Sequence, residues 1–446
     1  MSTCSASQHG ILERIANYID EKTFFTALVS ITFFVLFLFL YILHAYTFFG
    51  KIRIKDCATP TAPFGNLSDV IFHNDSWYMF LRKHYNRLRR KKLEYGGLYL
   101  FFKPSMLISD QALIERLILY QKENDEIFDN LISKDVIQNA LEKMDPIFEE
   151  CNQLLTREPY GHIFYKFFLN TSELLFGFIV DEKYLQNSIK EITSSSFKKY
   201  FSIAYSCFNN KNPYFYVKAS IQRELESRKE NDIKQNDILQ NLSKVDSTAI
   251  ENLSEIFIEN IFYSTLSTIL CLYELSQDDT IQEELVGEIR RLFAKEGKMQ
   301  FEYLDRLPYM DAVVKESLRK WPPVPVEVIK NEQDIEGLPK NKNILYLLSI
   351  YGIQNHQDNF VDPEQYDPDR FLEDNVKETL FLPFGIGPHR EIDRRLTTLN
   401  IKLAIISILS MYKVTIKSGY HLELDKTKMY IQPKNMPPLH FEFINH

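Results

Sequence analysis

Three apolar stretches divide the chain. From Phe24 to Phe49 there is no Asp, Glu, Lys or Arg, a run longer than the roughly 20 residues that cross a bilayer. It exceeds the core of a cleaved leader, and no small-residue cleavage site follows it, so a retained membrane helix is expected. Between Glu255 and Leu275, apolar residues such as Ile256, Phe257, Ile261, Phe262, Leu266, Ile269 and Leu270 fall on every face of a helix. Such a helix is buried at the centre of a large domain. Near the C-terminal end, Leu396, Leu399, Leu403, Ile406 and Leu409 keep helical spacing. Gly385, Gly387 and Pro388 stand just before them and predict a tight loop feeding that helix.

Shorter patterns fill the gaps. Thr59 to Leu67 (TPTAPFGNL) is a Pro-rich hinge. The basic run Arg87, Arg89, Arg90, Lys91, Lys92 is expected to be a solvated helix face, ended by Glu94 and Gly96-Gly97. LYLFFKPSMLIS reads as two short strands turning around Lys103-Pro104-Ser105, with Ser109 capping the next helix. That helix would place Leu113, Leu117 and Ile118 on one face.

Charge and cysteine usage narrow the function classes. A net charge of −8 argues against nucleic acid as the main partner. The five cysteines are scattered, and their odd number fits free thiols in a reducing compartment. The ten histidines form no HExxH-like cluster, so a zinc site built by the protein is not expected. Lys51, Arg53 and Lys55 follow the apolar run, whereas Arg14 and Lys22 are the only basic residues before it. This bias puts the body of the protein in the cytosol.

Length alone allows two or three domains, but the motifs imply one. Phe384-Gly385-x-Gly387-Pro388 ahead of a buried helix resembles the haem-binding loop of the cytochrome P-450 family. YMDAVVKESLRKWPPVPV supplies Glu316 and Arg319, and DPEQYDPDRF supplies Arg370. The family locks those three residues into one buried structural network. The resemblance covers nearly everything after Thr59. It implies a mainly α domain with small β-sheets over 69–446, behind a short segment (1–23), a transmembrane anchor (24–49) and a hinge (50–68). It also implies the endoplasmic reticulum membrane, haem as cofactor, oxygen-dependent hydroxylation of lipophilic molecules, and NADPH acting through a reductase partner.

Four parts of the family pattern depart in this chain. The ligand cysteine is replaced by Glu391 and the preceding propionate arginine by His389. Aligned on Tyr273-Glu274-Leu275, the oxygen-activating acid and threonine are replaced by Phe262 and Tyr263. Ser264 and Thr265 remain beside them, with a backbone bond as their expected use. The helix carrying a Trp and an Arg to the haem propionates has neither residue between Phe128 and Leu141, so it is expected to be shortened or lost. The later propionate arginine is replaced by Ile329, beside Lys330.

Glu391 at a helix start also has a plain role, offsetting the helix dipole by about 0.3–1 kcal/mol. The expectation is therefore an impaired or inactive member, a lipophile-binding or regulatory pseudoenzyme. The alternatives are a haem enzyme that uses Glu391 or His389 as iron ligand, and a membrane-anchored scaffold. The haem-site candidates are Phe384, Gly385, Gly387, His389 and Glu391.

Overall fold

The helix Ser247–Leu275 runs through the middle of the protein, and Leu253, Ile256, Phe257, Ile258, Ile261 and Leu272 along it are fully buried. It is long and apolar enough to cross a membrane, yet its apolar window is 83% buried within the protein. Tertiary packing therefore accounts for its all-round hydrophobicity. A computed structural model describes residues 21–122, 132–155, 159–194, 197–205, 214–242, 247–296, 301–304, 306–330, 335–373, 376–387 and 390–444. The chain is mainly helical, with small sheets, as its apolar patterning and motifs imply.

The helices Tyr160–Phe176, Phe215–Asn231, Pro308–Lys320 and Arg390–Leu409 pack on the central one. A polar seam fixes the register of the last of these. Asn400 donates to Asn260 (3.0 Å) and Ser264 (3.2 Å), and Ser172 donates to Asn260 (3.1 Å). Thr265 bonds the carbonyl of Ile261 at 2.7 Å, the backbone use expected of it.

A four-stranded sheet lies to one side in the order β1 (Tyr95–Leu100), β2 (Lys103–Ile108), β4 (Leu345–Leu348), β3 (Glu327–Lys330). The β2–β4 pair is parallel and the others are antiparallel. A two-stranded sheet, β5 (Tyr412–Ile416) with β6 (Leu439–Phe443), closes the C-terminal side.

Local readings needed correction in three places. The β1–β2 turn falls at Phe101-Phe102, with Phe101 at φ 57°, and not around Pro104. Pro104 is tolerated in β2 because pairing with β4 begins only at Ser105. The helix Gln111–Lys122 is capped by Asp110, whose carboxylate accepts from Leu113 N–H at 3.0 Å. Ser109 instead donates to the carbonyls of Leu93 and Glu94, tying the helix entry to the strand. The basic run closes the helix Trp77–Arg90, and Gly96-Gly97 lies inside β1 instead of ending that helix.

At the N-terminal end, the helix Glu21–Ala45 exposes its apolar side chains along Phe25–Ala45. Phe49 is fully buried, its ring 5.0 Å from that of Tyr99. The Pro-rich hinge is packed as well: Tyr99 N–H donates to the Asn66 side chain at 2.7 Å.

Candidate functional site

The central helix and the glycine loop meet through aromatic side chains. Tyr263 and Phe384 lie edge to face with ring centroids 6.3 Å apart. Tyr430 covers them from the C-terminal segment, 6.2 Å from Tyr263 and 5.2 Å from Phe262. Beside this cluster is a chamber of about 320 Å³. Its walls include Glu259 and Tyr263 of the central helix, Gly387, Arg390 and Asp393 of the loop and its helix, Glu327 at the start of β3, Trp77 and Lys199. A larger cleft of about 1090 Å³ between Asn139 and Asp237 contains none of the haem-site candidates.

Acidic groups dominate the chamber. Asp393 is 4% exposed, and its Oδ1 has no hydrogen-bond partner. Burial, then the charge of Glu255, raises its carboxyl well above the usual range. Glu259 is raised in the same direction by burial, then by the charge of Asp393. Glu327 is pushed up to about 7 by burial, although the amides of Ile386 and Val328 partly oppose this. The Ile386 N–H donates to Glu327 at 3.2 Å. Gly385, at φ 77°, leaves room for that carboxylate, since a Cβ there would sit 2.1 Å from Glu327 Oε2.

The two cations at the chamber wall are engaged elsewhere. Lys199 donates to the Ile192 carbonyl, and burial lowers its amine to about 8. Arg390 pairs with Glu378 at 2.7 Å.

The predicted haem-loop residues separate in space. Phe384 and Gly387 face the chamber. Glu391 turns to a neighbouring cavity lined by Phe371, Phe381 and Arg394, and accepts from Arg394 Nε at 3.0 Å. It stands in the first turn of the helix Arg390–Leu409, where its charge suits the helix dipole. His389 lies outside the described residues. Ile329 is buried in β3, whereas Lys330 is exposed and does not line the chamber. Among the described residues, no group of three His, Cys, Asp or Glu is placed to hold a metal ion.

Where the Trp- and Arg-bearing helix was expected to be shortened or lost, a short helix stands at Lys134–Leu141, capped by Ser133. The stretch 123–131 before it lies outside the described residues. Arg395 donates to the Ile132 carbonyl at 3.0 Å, tying this segment to the loop helix.

Glu316 and Arg319 are fully buried and doubly bonded, at 2.7 and 2.8 Å. Arg319 also donates to the carbonyls of Gln354 and Pro363, both at 2.9 Å. Arg370 approaches Glu316 at 3.5 Å. The sequence model of the cytochrome P450 family matches residues 152–439, spanning the central helix, this network and the glycine loop.

The chain belongs to the cytochrome P450 family. It is 34% identical over 172 residues to probable cytochrome P450 6d4 of Drosophila melanogaster, covering 37% of this chain and 33% of that protein. It is 31% identical over 165 residues to cytochrome P450 3A28 of Bos taurus, covering 36% and 32%. These matches span about a third of the relatives' own length. Cytochrome P450 6B1 of Papilio polyxenes aligns over 456 positions at 22% identity, covering 84% of this chain and 91% of that one. As a P450, the chain descends from haem-dependent monooxygenases.

Sequence reasoning missed Asp393 and Glu327 as site residues. Asp393 carried a usable signal. It shares a helix face with Leu396 and Asn400, so a carboxylate falls on a stripe that is otherwise packed. Glu327 follows PPVPV with no distinguishing pattern.

Proposed function

We propose that this P450 is a non-catalytic, membrane-anchored member that keeps a small-molecule chamber where its relatives hold haem. The observation that carries the reading is the direct contact of Tyr263 with Phe384. A haem in this family lies between the central helix and the glycine loop, and here the Tyr263 and Phe384 rings meet across part of that interval.

The remaining donors do not fit haem either. Glu391 is a carboxylate paired with Arg394, and it faces away from the chamber. A hard oxygen donor would supply little of the electron push that a thiolate gives iron. The chamber wall carries Glu259, Glu327 and Asp393, whose burial favours the neutral acid and which give haem propionates no positive partner. With Phe262 and Tyr263 replacing the acid and threonine, the inherited route for protons to bound oxygen lacks its residues. A scaffold with a filled pocket is less well supported, because about 320 Å³ stays open beside the rings.

The exposed apolar stretch Phe25–Ala45 is the proposed anchor, with the endoplasmic reticulum as its membrane and the folded body cytosolic. A reductase is the proposed protein partner, through a surface inherited from catalytic relatives. The test is reconstitution of the full chain with P450 reductase, NADPH and a panel of lipophilic substrates. NADPH consumption no higher than that of reductase alone, with no hydroxylated product, is expected. Hydroxylation that depends on this chain would contradict the reading.

A further inference from the structure

We infer that the chamber takes a small organic cation, an amine on a one- or two-ring apolar body. This deepens the non-haem reading above and rests on it.

The wall supplies two complementary surfaces. Glu259, Glu327 and Asp393 line it together with Trp77, Tyr263 and Tyr430, and one oxygen of Glu327 already accepts from the Ile386 N–H. Lys199 feels the charge of Glu259 and offsets part of the acidity, while Arg390 is paired with Glu378, and Asp393 Oδ1 is bonded to neither. Asp393 is the deciding residue. It is 4% exposed, it lines the chamber, and Oδ1 lacks a partner. A buried polar atom of this kind is ordinarily satisfied, and an ammonium N–H would satisfy it. The rings would hold the apolar body and add cation–π attraction.

Other ligand classes fit less well. An anion would meet three acids, and a neutral lipophile would leave Asp393 unpaired. No three of the described His, Cys, Asp or Glu residues are placed to bind a bare metal ion. A chamber of about 320 Å³ is at the small end for ligand sites and suits a one- or two-ring body.

The test is calorimetric titration of the full chain in detergent micelles with phenethylamine, tryptamine and benzyltrimethylammonium. Phenethyl alcohol and hydrocinnamate serve as neutral and anionic controls. At least one cation is expected to bind and raise the melting temperature, with the alcohol and the acid weaker by roughly tenfold or more. Asp393→Asn and Glu259→Gln are each expected to lower the cation's affinity by a similar factor, while retaining a cooperative melt.

Equal binding of alcohol and amine, or no binding of any cation, would overturn the inference. Neither result would restore a haem site. Stoichiometric haem in the same preparation, seen by its visible absorption, would instead overturn the non-haem reading. The comparison of cation with alcohol uses the unaltered chain, so a variant that fails to fold does not spoil it.

Discussion

Tyr263 of the central helix and Phe384 of the glycine loop are in direct contact, edge to face, with ring centroids 6.3 Å apart. Both are buried, at 2% and 4% exposure. The two elements that hold haem between them in P450s therefore pack on each other here. Replacing the missing cysteine does not change this contact. Glu391→Cys alone is expected to give neither a thiolate-haem spectrum nor NADPH-driven turnover. Robust turnover by that single variant would show that the aromatic contact and the lost proton-delivery residues matter little.

The Glu316–Arg319 pair supports the fold whatever the chain binds. Arg319→Leu removes the close partner of the buried Glu316 and leaves it only the longer contact with Arg370 and the Asp367 N–H, with a cost of about 3–5 kcal/mol. Denaturant unfolding monitored by circular dichroism measures it. Adding Glu316→Leu to Arg319→Leu is expected to recover part of the loss. A change within about 0.5 kcal/mol for the single variant would mean that the pair is not buried as described.

The chamber acids make stability depend on pH. Glu327 ionises near its ordinary value of 4.5 when unfolded and at about 7 when folded. The folded state therefore holds the proton more tightly. The stabilisation is complete below 4.5 and is lost as pH rises through about 7, by at most about 3 kcal/mol. Glu259 and Asp393 are shifted in the same direction. His84, lowered to about 4 by burial, acts in the opposite sense as pH falls below 6.5. The useful quantity is thus the difference between wild type and Glu327→Gln. That difference is expected to move in the variant's favour from pH 5 to pH 8, and a pH-independent difference would place Glu327 in water.

The apolar helix Glu21–Ala45 ends before Phe49, which belongs to the folded body. Phe49 N–H donates to the Tyr99 hydroxyl at 3.2 Å, and the Tyr99 hydroxyl donates to the Tyr46 carbonyl at 3.0 Å. A chain starting at Tyr46 is expected to melt close to the full protein. One starting at Gly50 is expected to lose about 3–5 kcal/mol through the removed ring. Equal melting temperatures for the two truncations would place Phe49 outside the core.

Much of the fold was legible because long-range periodicity is robust to local error. The all-round apolar run fixed on a buried helix, and Glu316, Arg319 and Arg370 marked one structural centre far apart in sequence. Local punctuation was less reliable. The strand turn slid to Phe101-Phe102, and Ser109 gave its hydroxyl to the carbonyls of Leu93 and Glu94 just ahead of β1, because tertiary partners outweighed local preference. At the site, sequence showed what had been replaced but not what replaced it. The chamber arises where Asp393, Glu259 and Glu327 converge from three distant elements, and no single spacing encodes that meeting.

The measurement that tests the central proposal most directly is haem per polypeptide in the full chain, purified after expression with ample haem. The spectrum of the reduced, carbon-monoxide-bound form is recorded on the same sample. A folded, helical protein with far less than one haem per chain, and no thiolate signature, is expected. One haem per chain would contradict the proposal, because it would require Tyr263 and Phe384 to stand apart.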